Sequence, residues 1–330
     1  MKLVTFKSEK EHFGILIRDR LYPVQALDPG LPDAVIPFLE MGEEGLFRLR
    51  KCEEMVLNGA RSVAPVMDYE LLAPVPRPTS ARDGYAFRQH VATARRNRGL
   101  EMIREFDQFP VFYFGNHRTI CGPGEVHLMP DHFRQLDFEL EVAVVIGKPG
   151  KNIPAHEADG HIAGYMILND LSARTLQMEE MMLSLGPAKG KDFATVIGPY
   201  LVTPDELEPF RVPTRHGHTG DQFDLEMFCS VNGEQVSAGT MKDMDWTFAE
   251  IIERCSYGVE LHAGDVIGSG TVGTGCFLEL NGTGKLINPD YVPKWLREGD
   301  EVVLEVGGLG TLKTIIRAES SDWSILNRKK

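Results

Sequence analysis

The sequence predicts an α+β chain rich in β-structure, with a small N-terminal β-domain over residues 1–75 and a larger mixed β-body over residues 76–330. Three observations predict it. Short apolar runs at irregular spacing follow one another through most of the chain, and 33 Gly and 20 Pro supply turns between them. Helical periodicity is confined to a few stretches and does not alternate regularly with strands, which favours a mixed or antiparallel body over a βαβ order. The Pro-rich run from Leu71 to Thr79 reads as an extended segment and places the boundary near residue 75.

Residues 3–6, 13–17 and 21–24 alternate like short strands, with a charged turn at residues 18–20. Residues 45–58 are helical: Leu46, Leu49, Cys52 and Val56 form one stripe and Gly59 is the stop. A second helix is expected to start at Asp83 and run to about Arg98, ending at Gly99. Strands follow at 111–114, 126–129, 138–146 and 162–168, then a short helix from Leu171 to about Leu183. Gly-rich loops and strands fill the remainder, with strands expected at 223–231, 265–268, 277–280 and 301–306. No internal repeat and no low-complexity segment interrupts this order.

The composition is that of a soluble globular protein, 42% hydrophobic and 25% charged. A net charge of −13 opposes nucleic acid or an anionic membrane as partner, though local basic residues can still receive an anionic substrate. No run of about 18 apolar residues exists and the N-terminus lacks a signal-peptide core, so a cytoplasmic protein is expected. Five scattered cysteines without CxxC indicate reduced thiols rather than a disulfide framework.

Chemistry concentrates around Glu139 and Glu141, which head the most apolar run of the chain, residues 138–146. In a strand, residues i and i+2 share a face, so two like charges stand together beside buried surface and call for a compensating cation, unless the strand end is exposed and both acids stand in water. Asp83 and His90, seven residues apart on the expected helix, share a face about two turns apart. An N-cap role suits Asp83 equally, and a satisfied core histidine beside Phe87 and Val91 suits His90. Asp170, Arg174 and Gln177 follow helical spacing and share a face, which an ordinary cap with an ion pair also explains. Asp83, Glu139, Glu141 and Asp170 offer four hard oxygen donors, suited to Mg²⁺, Ca²⁺ or Mn²⁺. Zinc is not expected, because neither Cys nor paired His cluster along the chain and HExxH is absent. The stretch Gly268–Gly273 matches GxGxxG, but the residues after it read as a strand, so a dinucleotide fingerprint is not supported. Lys191 is either a solvated loop lysine or an anion clamp. No Gly-x-Ser-x-Gly elbow occurs.

Taken together, six segments resemble the fumarylacetoacetate hydrolase family: Arg82 to His90, Leu136 to Glu141, Asn169 to Gln177, Gly190 to Thr195, Gly268 to Thr271, and Phe277 to Glu279. They fall in the family's order across roughly residues 75–310. The resemblance implies a mixed β-sandwich or β-roll for the large domain and a homodimer. It implies Asp83, Glu139, Glu141 and Asp170 as divalent-metal ligands, and His90 with Glu279 as the pair that activates water. Arg174, Gln177 and Lys191 would bind and polarise a dioxo substrate, Thr271 would contact its carboxylate, and Tyr85 and Tyr113 would line the pocket. The implied reaction is hydrolysis of a C–C bond in a fumarylacetoacetate-like or acylpyruvate-type diketo acid. Decarboxylation, hydration or isomerisation of a related 2-oxo acid is the alternative on the same metal site. A binding protein with a structural Ca²⁺ would have no need of His90, Lys191 and Glu279. The chain departs from the family's pattern in a Met-rich segment after Gln177 (Met178, Met181, Met182). The arginine expected after His90 falls at Arg95, Arg96 or Arg98.

Overall fold

A computed structural model describes residues 1–328. An eleven-stranded mixed sheet forms the backbone of the molecule. Its central order runs Lys2–Lys7, Thr195–Val202, Ile162–Asp170, Leu140–Ile146, Val266–Gly268, Ala81–Gly84 and Phe112–Gly115. The N-terminal strands join it through Lys2–Lys7, with Lys2 opposite Val202 and Leu3 opposite Leu201. A second sheet of five strands, including Glu226–Val231, Glu301–Val306 and Gly310–Ala318, packs against one face.

The strand Leu140–Ile146 is buried along its whole length because both faces are covered. Leu140, Val142, Val144 and Ile146 enter the core shared with the five-stranded sheet, beside Leu304, Leu312 and Ile316. Ala143 and Val145 enter the other core, beneath the helices that carry Phe38 and Leu49. Glu141 has the parity of Ala143 and Val145, so the sheet projects it to that second side at the strand's end.

Several expected elements form differently. The helix expected from Asp83 begins only at Arg88, as Arg88–Arg96. Asp83 instead lies in the strand Ala81–Gly84, paired with Gly268 on one side and Tyr113 on the other. Asp83 and His90 therefore do not share a helix face; hydrogen bonding to two neighbouring strands outweighs the local helical pattern. Asp170 closes the strand Ile162–Asp170, and the helix expected from Leu171 begins only at Arg174, as Arg174–Met182.

The strand expected at 277–280 is the start of the helix Phe277–Ile287. The carboxylate of Asp137 accepts the N–H groups of Phe277 (2.7 Å) and Leu278 (2.9 Å), two donors that a helix start leaves unpaired. This cap comes from 140 residues away, so no local signal announces it. The stretch Gly268–Gly273 consequently does join a strand to a helix, contrary to the expectation. It does not become a phosphate cradle, because the Gly270 N–H is already donated to Asp83 (3.0 Å). The helix Phe248–Ser256 was not expected either, although Thr247 and Glu250 form the capping box that the sequence displays.

Candidate active site and metal centre

The sheet register builds the site. Ala143 lies opposite Gly268, and Gly268 opposite Asp83, so Glu141 and Asp83 flank a glycine. A Cβ on Gly268 would stand 2.3 Å from Asp83 Oδ1 and 3.2 Å from Glu141 Oε2, so glycine is what leaves room between the acids. Glu139 precedes the strand and turns to the same place: one carboxylate oxygen each from Asp83, Glu139 and Glu141 lies within 4.8 Å of the others. Thr271 Oγ1 donates to Glu141 Oε1 (3.2 Å), while the buried Oε2 faces no donor. Burial, then the charge of Asp170, pushes Asp83 up to about 7. Burial, then Asp83, pushes Glu141 well above the carboxylate range. Two acids that cannot comfortably ionise together, an orphaned buried oxygen and a glycine cradle fit a hard divalent cation.

Asp170 stands apart from this trio. Lys191 Nζ lies between Asp170 Oδ2 (2.6 Å) and Glu139 Oε2, and the Tyr113 hydroxyl donates to the same Asp170 oxygen. Burial opposes the charge on Lys191, but Asp170 and Glu139 outweigh it and raise its pKa. Burial also raises Glu139, yet Lys191 and Arg174 together hold its carboxyl well below the usual range. Lys191 is thus a buried cation clamped between two of the four acids rather than a solvated loop lysine.

Arg174 is fully engaged. Its Nη2 donates to Glu139 Oε1 (2.7 Å), its Nε to Asp137 Oδ2 (2.9 Å) and its Nη1 to Gln177 Oε1 (2.9 Å). It does not pair with Asp170. Asp137 was missed in sequence, although the alternation of Glu139 and Glu141 continues back to it; it is fully buried and positions both Arg174 and the helix Phe277–Ile287.

His90 closes the other wall. Its Nδ1 lies 2.7 Å from Glu279 Oε2, and Glu279 Oε1 accepts the Thr274 N–H (3.0 Å). The helices Arg88–Arg96 and Phe277–Ile287 pack together, with Asn97 Nδ2 donating to the Glu279 carbonyl (3.0 Å). Tyr85 meets the His90 ring edge-on, centroids 5.8 Å apart. Cys276, three residues before Glu279 and at the start of the same helix, also adjoins this pair.

These groups border a cavity of about 680 Å³, lined by Asp83, Glu139, Lys191, His90, Tyr85 and Thr271 among others. Tyr113, Arg174 and Gln177 line it as well. Of the three candidate arginines, Arg98 lines the cavity; Arg95 turns to the Glu101 carbonyl and Arg96 to Thr283. Lys285 and Trp295, not anticipated, also line the cavity, as do Met178 and Met181. Among the described residues no helix is long and apolar enough to cross a membrane.

Comparison with known proteins agrees with this architecture. The fumarylacetoacetate hydrolase C-terminal profile matches residues 79–317. A human mitochondrial oxaloacetate tautomerase is 31% identical over 318 residues, covering 94% of this chain and 90% of the relative. The solved structure of a fumarylacetoacetate hydrolase from Exiguobacterium antarcticum superposes with a TM-score of 0.71 at 25% identity, covering 97% of this chain and all of that one. The fold is shared with a maleylpyruvate hydrolase from Sphingobium sp. SYK-6, solved with manganese(II) and pyruvate, at 21% identity and a TM-score of 0.68 over 97% of this chain and all of that one. The mixed α+β, sheet-rich fold, the segment order and the profile match together place the chain in the fumarylacetoacetate hydrolase family.

Proposed function

We propose that this chain is a divalent-metal enzyme that moves a proton on a 2-oxo dicarboxylate, interconverting the keto and enol forms of an oxaloacetate-like acid. The His90–Glu279 pair on the cavity wall beside the acid trio carries this reading. Glu279, held by the Thr274 N–H, accepts from His90 Nδ1 and so keeps the proton there. The lone pair is left on Nε2, which makes His90 a base toward the cavity. His90 takes a proton from the carbon next to the 2-oxo group and returns it to the oxygen. A cation held by Asp83, Glu139 and Glu141 would polarise the oxo group and stabilise enolate charge. Mg²⁺, Mn²⁺ and Ca²⁺ all suit this oxygen-only set. Gln177 and Tyr85 offer hydrogen bonds to the substrate's carboxylate and oxygens, and Arg174 and Lys191 place positive charge beside it. The activity of the human relative, similar over nearly its whole length, supports the assignment.

A second reading is hydrolysis of a C–C bond in a fumarylacetoacetate-like acylpyruvate, with His90 Nε2 taking its proton from water. The cavity favours it, being larger than a four-carbon acid fills. Decarboxylation or hydration of a related 2-oxo acid would use the same groups. A homodimer belongs to this picture, and the exposed Met182, Leu183 and Leu185 offer it a surface to cover. The test is ultraviolet assay of enol-oxaloacetate and of an acylpyruvate panel, with EDTA-dialysed and Mg²⁺- or Mn²⁺-restored protein. Metal-dependent loss of enol absorbance that falls by about 10²–10⁴ in Glu279→Gln supports the proposal. Full activity without metal would sink it, and turnover confined to acylpyruvates would make hydrolysis the function.

A further inference from the structure

We infer that His90, Cys276 and Glu279 form a second, inhibitory metal site, selective for zinc and distinct from the acid trio. One donor atom from each of the three lies within 4.8 Å of the others, and all three side chains are buried, at 6%, 0% and 2% exposure. Donors around tetrahedral zinc stand roughly 3.2–3.8 Å apart, given bonds of about 2.0–2.3 Å, so side-chain adjustment suffices to close the set. Nitrogen, sulfur and carboxylate oxygen are zinc's ligand types, whereas the acid trio offers oxygen alone. The chain therefore presents a hard site and a softer one on two sides of one cavity, and the cavity reaches the softer one through His90.

Charge balances in the buried site. A thiolate and a carboxylate neutralise Zn²⁺, with the imidazole neutral. Zinc takes the position of the proton between His90 Nδ1 and Glu279 Oε2; that proton reappears on Nε2 by tautomerisation, and the Cys276 thiol releases its own to solvent. The nitrogen that faces the cavity then carries hydrogen and no longer serves as a base. Cys276 is thus no part of the catalytic machinery, but it is the ligand that turns the dyad into a zinc trap.

The first test needs no substrate and stands whether or not the proposed activity does. Cobalt(II) titrated into magnesium-saturated protein should give a near-ultraviolet thiolate-to-cobalt band, which zinc abolishes and Cys276→Ser lacks. Cobalt at the acid trio, all oxygen, gives no such band. The second test rests on the proposed proton transfer. Cys276→Ser, whose hydroxyl suits the position before a helix, should keep the basal rate. Its midpoint for zinc inhibition should rise at least roughly tenfold, since changes one shell further out already cost about 10–100-fold in metal affinity. Cys276→Ala, with its thermal unfolding measured, gives an independent variant. No band in the unaltered protein, a band undiminished in Cys276→Ser, or equal zinc inhibition of the two would overturn the assignment.

Discussion

Replacing Asp137 by alanine should be among the most damaging single changes available in this chain, although Asp137 faces neither metal nor substrate. Its side chain is fully buried. Oδ1 accepts from Phe277 N (2.7 Å) and Phe138 N (3.0 Å); Oδ2 accepts from Leu278 N and Arg174 Nε, both at 2.9 Å. Removing one partner of a buried ion pair costs about 3–5 kcal/mol, and Arg174 keeps Glu139 and Gln177, so the lower figure applies. Two helix N–H groups left unpaired add about 1 kcal/mol each at the low end, giving roughly 5 kcal/mol in all. An unfolding entropy of about 2.1 cal/mol/K per residue is roughly 0.7 kcal/mol/K for a chain of 330 residues. The expected fall in Tm is therefore about 7 °C. Differential scanning calorimetry of Asp137→Ala beside Asp137→Asn measures it, and the asparagine, which keeps one acceptor oxygen, should lose less. A fall below about 2 °C for the alanine variant would refute the view that Asp137 organises the arginine and the helix start.

Gly268→Ala should abolish tight Mg²⁺ or Mn²⁺ binding by calorimetric titration with a smaller effect on Tm, because the new Cβ collides with Asp83 Oδ1 rather than with the apolar core. Lys285 is an exposed cation on the cavity wall, and among the described residues no acid pairs with it. Lys285→Met should raise KM for a dicarboxylate about two- to fivefold, as an exposed charge worth up to about 1 kcal/mol implies, and leave kcat unchanged. A monocarboxylate analogue should be unaffected. His132 is stacked on Phe193 with centroids 4.0 Å apart, and burial, then Lys189, lowers its pKa from 6.5 to about 4. The folded state binds this proton less readily than the unfolded one, so its contribution to stability is present above pH 6.5 and lost as pH falls toward 4. At most about 3 kcal/mol is involved. Tm measured across that window should fall less steeply in His132→Gln.

Much of the candidate site was legible as residue types on short motifs. In extended backbone the i, i+2 spacing puts Glu139 and Glu141 on one side of the chain, and the apolar run after them requires burial. Arg174 and Gln177, three apart, meet on their helix as spacing implies. Local patterns failed where a distant group decided the outcome. Asp83 fits a helical pattern in sequence because nothing nearby reveals the strands on either side of it. Residues 277–280 read as strand because the carboxylate that caps their helix belongs to Asp137.

What the sequence determined by itself was the donor inventory: four acids, a histidine with a distant glutamate, and the absence of paired soft ligands along the chain. Only the tertiary structure decided who shares whom. It sets Lys191 between Glu139 and Asp170, leaves Asp83 and Glu141 without a cation of their own among the described residues, and brings His90 to Cys276 and to Glu279, 189 residues away. Periodicity speaks for a few turns of helix or one strand. Coordination and charge compensation depend on atoms a few ångströms apart, and those distances are set by sheet register and helix packing across the whole chain.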